Sequence, residues 1–271
     1  MRIARVFPRR TRATPDDSLA FTDVPGLFVP DVDEVHVSVT FSWDLPRAEY
    51  LARQWERVAP VRVGGPAVGT RGEDFTPGMY LKAGYVITSR GCPNRCWFCS
   101  VPKRDGPVRE LPITEGWNVL DDNLLACSED HVRAVLDMLR RQKHPPEFTG
   151  GLEAARLTAA LAEGLRSVRP KQLFFAYDTP DDWEPLVRAV ETCRAAGFKT
   201  HPHSHAIRSY VLCGWPKDSM EAAEERMRQV VKIGVMPMAM LWRDQRGMVD
   251  AAWRAFQRRW ARPMIIVSEF A

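Results

Sequence analysis

The chain lacks any apolar stretch long enough to cross a membrane. No uninterrupted apolar run in its 271 residues approaches the roughly 20 residues that a transmembrane helix needs. The segment from Met1 to Arg12 is basic, but it has no apolar core of the kind that a secretory signal peptide requires. We therefore expect a cytoplasmic protein without a membrane partner.

Lysine is scarce, and nothing in the cysteine pattern suggests a disulfide framework. Seven lysines stand against 31 arginines, with a formal net charge of only +4. This bias is more typical of a GC-rich genome than of a function, and the mild positive balance permits an anionic substrate without demonstrating one. Three of the six cysteines lie in one cluster, which favours a reducing compartment. The 45% hydrophobic and 27% charged content is ordinary for a soluble globular protein.

The cysteine cluster is the most informative segment. It reads Gly91-Cys92-Pro93-Asn94-Arg95-Cys96-Trp97-Phe98-Cys99, with the spacing C-x3-C-x2-C. Cysteine thiolate is the standard ligand of iron–sulfur clusters, and three thiolates leave one iron of a four-iron cluster without a protein ligand. Such an open position can bind a small molecule. A structural zinc site is the alternative, but it predicts a second C-x2-C pair or a nearby histidine, and none follows Cys99.

This motif resembles the cluster-binding motif of radical S-adenosylmethionine (radical SAM) enzymes. The resemblance implies a [4Fe-4S] cluster held by Cys92, Cys96 and Cys99, with the amino and carboxylate groups of SAM on the open iron. It implies that one electron, from a reductant such as flavodoxin or ferredoxin, cleaves SAM to methionine and a 5′-deoxyadenosyl radical. Phe98 matches the superfamily position that lies beside the adenine of SAM.

From Gly84 onward, strand and helix patterns alternate with short turns, which is typical of β/α units around a parallel sheet. Six units predict a partial (β/α)6 barrel over residues 81–262, with a C-terminal tail over 263–271. Functional residues should lie at the carboxyl ends of the strands, and the cysteine loop already follows the first strand. The predicted strands are 84–90, 117–125, 147–149, 172–177, 207–213 and 235–242; the predicted helices are 129–141, one ending near 168, 182–197, 220–233 and 249–262.

Residues 1–80 have a separate α/β pattern. Apolar segments at 2–7, 35–41 and 61–64 predict strands, and 46–58 predicts a helix. The segment 61–67, leading into Phe75-Thr76-Pro77-Gly78, resembles the end of the cobalamin-binding domain that precedes many radical SAM barrels. The D-x-H-x-x-G loop that supplies the lower cobalt ligand there is missing, because no glycine follows His36 at the required spacing. We therefore expect a shortened, Rossmann-like α/β segment that does not bind cobalamin.

An acidic cluster falls within the second predicted strand. Asp121 and Asp122 are adjacent, and Asn123 follows them. Two acids within a strand are rarely buried without partners. One interpretation is that one of the three side chains points into the barrel and contacts SAM or substrate, and the alternative is a solvated strand end. A similar D-D-N segment occurs at the second strand of cobalamin-type radical SAM proteins.

A glycine pair and an acid follow the third predicted strand. Gly150 and Gly151 would let the backbone approach a ligand closely, and Glu153 could accept the ammonium of SAM. The G-G-E motif of the superfamily follows the second strand instead, so the match in position and spacing is imperfect. The alternative is a tight turn with Glu153 in the first turn of a helix, where the helix dipole favours an acid.

Four further candidates lie at the ends of the fourth and fifth strands. Tyr177 or Asp178 could bond the ribose hydroxyls of SAM, although Asp178 could equally be a helix cap. Gly214 resembles the fifth-strand glycine that lies close to the adenine in the superfamily. Cys213 could donate a hydrogen atom to a substrate radical if its thiol faced the lumen, and otherwise it packs in the core.

His201, His203 and His205 alternate along the chain before the fifth strand. In an extended segment they would share a face, which is one arrangement for a metal site. Pro202 interrupts them, and they precede their strand, at the end opposite to the cysteine loop. A surface position at the amino-terminal rim is therefore the favoured interpretation.

The resemblance covers residues 84–262 and implies the enzyme class but not the reaction. The small size and the D-D-N variant resemble compact radical SAM proteins encoded by phages and bacteria, some of which modify nucleobases or nucleic-acid adducts. The first expectation is therefore rearrangement or modification of a nucleotide or of a base adduct in DNA. A small-molecule or peptide substrate and a cobalamin-dependent radical methyltransferase are alternatives. An iron–sulfur electron-transfer or sensor protein, which would leave SAM intact, is the alternative outside this class.

Overall fold

The computed structural model describes residues 1–69, 79–201, 204–244 and 246–270. The chain is α/β and divides into two compact units, one formed by Met1–Tyr85 with Gln245–Gly247 and the other by Val86–Asp244 with Met248–Ala271. The segment Phe75-Thr76-Pro77-Gly78 and His203 lie outside the described residues. Within the described ranges, no helix is long and apolar enough to cross a membrane.

The first unit is built on a four-stranded parallel sheet with the strand order β2-β1-β3-β4. Its strands are β1 Ile3–Val6, β2 Ala20–Phe21, β3 Glu34–Ser38 and β4 Val61–Gly64, and its helix is α1 Leu45–Trp55. Val35 and Val37 alternate along β3 and therefore share the face that packs with Leu51 and Trp55 of α1 in one buried cluster. The predicted strands and helix of this region are confirmed, with ends that shift by a few residues, and the short β2 was not predicted.

The second unit contains a six-stranded sheet with the order β12-β11-β10-β9-β8-β5, so that consecutive strands of this sheet are neighbours. The pairings from β8 to β12 are parallel. Its strands are β5 Tyr85–Val86, β8 Asn118–Val119, β9 Glu147–Phe148, β10 Gln172–Ala176, β11 Ile207–Cys213 and β12 Met236–Leu241, and a separate antiparallel pair is formed by β6 Ser89–Arg90 and β7 Arg109–Glu110.

Helices alternate with these strands. They are α2 Val101–Arg104, α3 Glu129–Arg140, α4 Ala159–Ser167, α5 Trp183–Ala195, α6 Met220–Lys232, α7 Ala251–Trp260 and α8 Pro263–Phe270. Ser128 and Ser219 accept hydrogen bonds from the third backbone amide beyond them and so cap α3 and α6. Gly197 and Gly234 follow the ends of α5 and α6 with φ values of 88° and 82°, as a helix-terminating glycine does. The helix α8 occupies the segment predicted only as a tail.

The first two predicted strands of this unit are shorter than expected. The segment 84–90 is divided between β5 and β6, and the segment 117–125 contributes only β8 before a 3-10 turn at Leu124–Ala126. The physical reason lies in Asp121 and Asp122. Their carboxylates accept hydrogen bonds from residues of the 88–91 segment, including backbone N–H groups, and so end the strand.

Candidate functional site

The cysteine loop lies between β6 and α2, and its entry is tightly constrained. Gly91 has a φ of 88°, and a Cβ added there would lie 2.2 Å from the carbonyl oxygen of Pro107. The next residue, Cys92, donates its backbone N–H to the carbonyl of Gly106 at 3.1 Å, and Cys99 donates to the carbonyl of Cys96 at 3.1 Å. Glycine is therefore required at the start of the loop, because any side chain would collide with backbone.

The three cysteines are free thiols close enough to influence one another. Cys96 is exposed, whereas Cys92 and Cys99 are half-buried. Burial raises the pKa of the Cys96 thiol, and the neighbouring Cys99 and Cys92 raise it further. Burial is also the main cause that raises the pKa of Cys99, and Cys92 adds to it. A cationic metal centre would remove this repulsion, because it stabilises thiolates directly.

No three Cys, His, Asp or Glu side chains in the described part of the chain are arranged to hold a metal ion. A cluster would therefore have to draw the three thiols together. The exposed position of Cys96 and the short loop between Cys96 and Cys99 permit such a movement without disturbing the strand that precedes them.

Asp121 anchors the segment that leads into this loop. Its buried carboxylate accepts hydrogen bonds from the backbone N–H of Thr88 at 2.6 Å, from the Thr88 hydroxyl at 2.5 Å and from the Ser89 hydroxyl at 2.8 Å. Burial raises the pKa of Asp121, and the bonds from Thr88 and Ser89 oppose that rise. Three donors on one carboxylate satisfy a group that would otherwise be costly to bury.

Asp122 fixes the next part of the same segment. Its carboxylate accepts a hydrogen bond from the backbone N–H of Gly91 at 2.9 Å and lies 3.4 Å from the Arg90 guanidinium. Burial raises the pKa of Asp122, although Arg90 acts in the opposite direction. The two acids are therefore not a solvated strand end, since both of them hold the base of the cysteine loop.

Asn123 connects the cysteine loop to Glu153. Its side-chain nitrogen donates to the Glu153 carboxylate at 2.6 Å and lies 3.4 Å from the sulfur of Cys92. The residue is buried, and its Oδ1 has no hydrogen-bond partner within the described residues. The structure thus brings together Cys92, Asn123 and Glu153, which the sequence placed near the ends of the first, second and third predicted strands.

Glu153 is held as a carboxylate. Burial alone would raise its pKa, but hydrogen bonds from Asn123, Asn94 and Arg156 lower the pKa below its ordinary value. The Arg156 guanidinium lies 2.7 Å away. An ionised carboxylate beside an unpaired amide oxygen offers two acceptors to a cationic ligand group such as an ammonium.

The two glycines before Glu153 differ in their surroundings. A Cβ on Gly150 would lie 2.3 Å from the backbone oxygen of Asp121, so this glycine allows the ends of β8 and β9 to approach closely. Gly151 has a φ of 97°, and a Cβ there would meet no atom within 4 Å. Of the two, only Gly151 leaves open space beside the site.

Tyr177 and Asp178 end β10 with different environments. The Tyr177 hydroxyl donates to Gln229 of α6 at 2.9 Å. One oxygen of Asp178 accepts a hydrogen bond from the backbone N–H of Leu212 at 3.0 Å, and burial followed by repulsion from Asp182 raises the pKa of Asp178 to about 7. The helix cap here is formed by Thr179 and Asp182, not by Asp178. A carboxyl that titrates near neutrality is typical of functional sites.

Cys213 and Gly214 end β11 within packed surroundings. Cys213 is fully buried in the main core cluster, and burial raises the pKa of its thiol to about 12. Gly214 has a φ of 77°, and a Cβ there would lie 2.7 Å from the Leu241 side chain. Its N–H donates to Asp218 at 2.8 Å. The contacts of both residues are those of packing.

The packing of Trp97, in the cysteine loop, against the ring of Trp215 was not predicted. Trp97 is 57% exposed, and its ring lies edge-on to Phe98 at 5.3 Å and to Trp215 at 6.1 Å between ring centroids. The Arg226 guanidinium lies over the other ring, 4.6 Å from the Trp215 centroid, and is bonded to Asp218. This contact joins two loops that are distant in sequence, so no local pattern indicated it.

His201 and His205 precede β11, at the amino-terminal end of that strand, opposite to Cys213. This is the rim position favoured from the sequence.

No protein-family model matches the chain, and a comparison with curated proteins finds no match. The function therefore has to be inferred from the cysteine motif and from the geometry around it.

These residues fit a four-iron cluster with one iron open to a ligand. Cys92, Cys96 and Cys99 supply three thiols, which is one fewer than a fully ligated cluster requires. Asn123 contributes a buried oxygen that has no partner in the part of the chain that the structure describes, and Glu153 is ionised beside it. A ligand with a cationic group and an oxygen donor would satisfy both the open iron and these acceptors.

Proposed function

We propose that this chain is a radical SAM enzyme that cleaves S-adenosylmethionine reductively and abstracts a hydrogen atom from a bound substrate. The observation that carries the proposal is the C-x3-C-x2-C loop, whose Cys92 is joined through Asn123 to the ionised Glu153. When bound, a [4Fe-4S] cluster and SAM supply a 5′-deoxyadenosyl radical after one-electron reduction by a partner such as flavodoxin or ferredoxin. The protein's own part is to bind and orient the cluster, SAM and the substrate, and to exclude water from the site.

The roles of the residues follow from their contacts. Cys92, Cys96 and Cys99 hold the cluster. Glu153 and the Asn123 oxygen, which has no partner among the described residues, are the proposed acceptors for hydrogen bonds from the amino group of SAM, because Asn123 joins Glu153 to Cys92. Their position at the carboxyl ends of strands is where enzymes of the β/α barrel type place their chemistry.

The larger sheet supports a partial (β/α)6 barrel. Its six strands follow one another in chain order, and helices alternate with them. Parallel strands that follow one another in chain order and are joined by helices are the repeating units of such a barrel. Asp178, whose charge contributes to the raised pKa of the Cys96 thiol, is the candidate for a hydrogen bond to a ribose hydroxyl of SAM.

For the substrate, we propose a nucleotide or a base adduct in DNA. The exposed ring of Trp97, which lies between Cys96 and Cys99 in the loop, supports this class because aromatic side chains bind bases by stacking. A small molecule or a peptide with a planar group is the second candidate. The cobalamin-dependent alternative is disfavoured, because both ring nitrogens of His36 are engaged: Nδ1 lies 2.5 Å from the Tyr80 hydroxyl and Nε2 lies 2.9 Å from Glu34.

The test is anaerobic reconstitution with iron and sulfide, followed by dithionite and SAM, with chromatography for 5′-deoxyadenosine. We expect product from the natural chain and none from Cys92→Ala, Cys96→Ala or Cys99→Ala. Cys193→Ala is the control, because Cys193 is buried in the core on α5. Product from any of the three loop variants would refute the assignment.

Two other outcomes of the same experiment would assign the chain to a different functional class. A reconstituted cluster that leaves SAM intact, with and without nucleotides and DNA, would favour an electron-transfer or sensor protein. Zinc in place of iron in the purified protein, with no cluster after reconstitution, would favour the structural zinc site.

A further inference from the structure

Asn123 contacts both a cysteine of the loop and the acid proposed to bind SAM. It is 3% exposed and follows β8, next to the two acids that fix the loop. Its nitrogen lies 3.4 Å from the Cys92 sulfur and 2.6 Å from Glu153. A buried amide in this position has to be explained by its bonds, because burial of an amide costs free energy unless it is paired.

The orientation of the amide follows from charge. If the oxygen and nitrogen were exchanged, the amide oxygen would face the Glu153 carboxylate at hydrogen-bond distance, and the two would repel. The nitrogen therefore faces Glu153. Because an amide nitrogen carries two hydrogens, it can donate one to Glu153 and the other to the Cys92 sulfur at the same time.

We propose that Asn123 is a positioning residue that donates an N–H···S hydrogen bond to Cys92 and thereby raises the reduction potential of the cluster. Glu153 holds the amide in the orientation that this bond needs. Reduction adds negative charge to the cluster and its sulfur ligands, so a donor aimed at one of those sulfurs stabilises the reduced state more than the oxidised state. The inference rests on the proposed function, because it requires the cluster.

The test compares midpoint potentials of the reconstituted protein in the absence of SAM, by dithionite titration followed with electron paramagnetic resonance. Asn123→Leu has a similar size but no donor. We expect it to bind iron and sulfide as the natural chain does and to be reduced at a more negative potential. A tenfold change in the reduction equilibrium would appear as a shift of about 59 mV for one electron.

Asn118→Leu is the matched control. Asn118 is also a buried amide, it lies in β8 itself, and its oxygen accepts a bond from the Thr149 hydroxyl. Loss of this amide should leave the potential unchanged. Asn123→Ala serves as a second variant if Asn123→Leu does not fold, because it removes the amide with less steric demand, also has no donor and carries the same expectation.

The outcomes separate the two proposals. If the natural chain forms no cluster, the proposed function fails. If the cluster forms and the potential of an Asn123 variant equals that of the natural chain, the proposed function stands and the role of Asn123 is wrong. The role is also wrong if a folded Asn123 variant binds no iron while Asn118→Leu does, because the amide would then act in assembly.

Discussion

Two regions of the larger sheet have similar residue types but different contacts. One is formed by the ends of β8 and β9, and the other by the ends of β10 and β11. Both regions place small and acidic residues directly after a strand. At β8 and β9 the acids hold the cysteine loop, and Asn123 keeps a buried oxygen without a partner. At β10 and β11 most polar groups bond within their own surroundings, as Tyr177 does with Gln229 and Gly214 with Asp218.

This comparison teaches that a polar residue at a strand end is not a site by position alone. A group that could meet a ligand is marked by an acceptor left without a hydrogen-bond partner or by a carboxyl pKa close to neutrality. Asn123 stands out in the first region, because its oxygen has no partner among the described residues. Asp178 stands out in the second region, because its carboxyl pKa is raised to about 7. Each prediction below tests one side of the comparison.

The largest effect is expected for Asp121→Ala, which breaks the clamp of the first region. The change leaves the N–H and hydroxyl of Thr88 and the hydroxyl of Ser89 without their buried acceptor. We expect the free energy of unfolding to fall by about 4 kcal/mol, measured by urea denaturation. Asp130→Ala is the control, since this exposed acid on α3 should leave stability nearly unchanged. Equal stability of the two variants would contradict the clamp.

The next effect concerns pH and the second region. The pKa of Asp178 is raised to about 7, so the folded chain keeps a proton that the unfolded chain loses near pH 4. Stability from this group is therefore full below pH 4, falls as the pH rises to 7 and is constant above it. Asp178→Asn should remove this fall, on the order of 3 kcal/mol between pH 4 and 8.

The measurement for Asp178 is urea denaturation of both chains across that pH range. The difference in unfolding free energy between variant and natural chain should grow with pH and level off above about 7. A constant difference would mean that Asp178 ionises normally, and that the second region contains no perturbed acid.

A smaller effect is expected for Gly91→Ala, which tests the entry of the loop. Gly91 and Gly106 both have positive φ, at 88° and 73°, but only at Gly91 would a Cβ collide with backbone. Gly106→Ala should therefore cost about 1 kcal/mol for its conformation, and Gly91→Ala about 2 kcal/mol more from the collision. Thermal unfolding measures both, and iron binding should fall only for Gly91→Ala. Identical behaviour would show that the loop entry can relax.

The smallest effect is expected for Tyr177→Phe in the second region. The variant loses one hydrogen bond to Gln229, which is worth about 1 kcal/mol. Because this hydroxyl is directed to α6, we expect 5′-deoxyadenosine formation to stay at the level of the natural chain. A large loss of product without loss of stability would place Tyr177 in the site after all.

Local patterns predicted much of the second unit. Strand β11 has the predicted bounds and α3 begins at the predicted Glu129, because a short apolar run and a helix-start signal act over a few neighbours. The division of the first predicted strand was missed, since it depends on the carboxylate of Asp121, more than thirty residues away. The contact between Trp97 and Trp215 was missed for the same reason.

For the site itself, the sequence identified the residues but not the hydrogen bonds that they form. The spacing of the cysteines, Asn123 and Glu153 could be read from motifs, whereas the bond that joins them is a product of the fold. Asp121 and Asp122 were candidates for contact with SAM or substrate, and they hold the loop instead. A pair of acids gives no local signal of which backbone donors it will meet.

The clamp formed by Asp121 and Asp122 also has a consequence for motion. Thr88 lies between β5 and β6 and Gly91 lies at the start of the cysteine loop, so neither is in a strand, but the backbone N–H of each donates to a largely buried carboxylate. Amide hydrogen exchange at these two positions should be as slow as in the central strands. Exchange around the exposed Trp97 should be fast, so that the loop should have a slowly exchanging base and a rapidly exchanging tip.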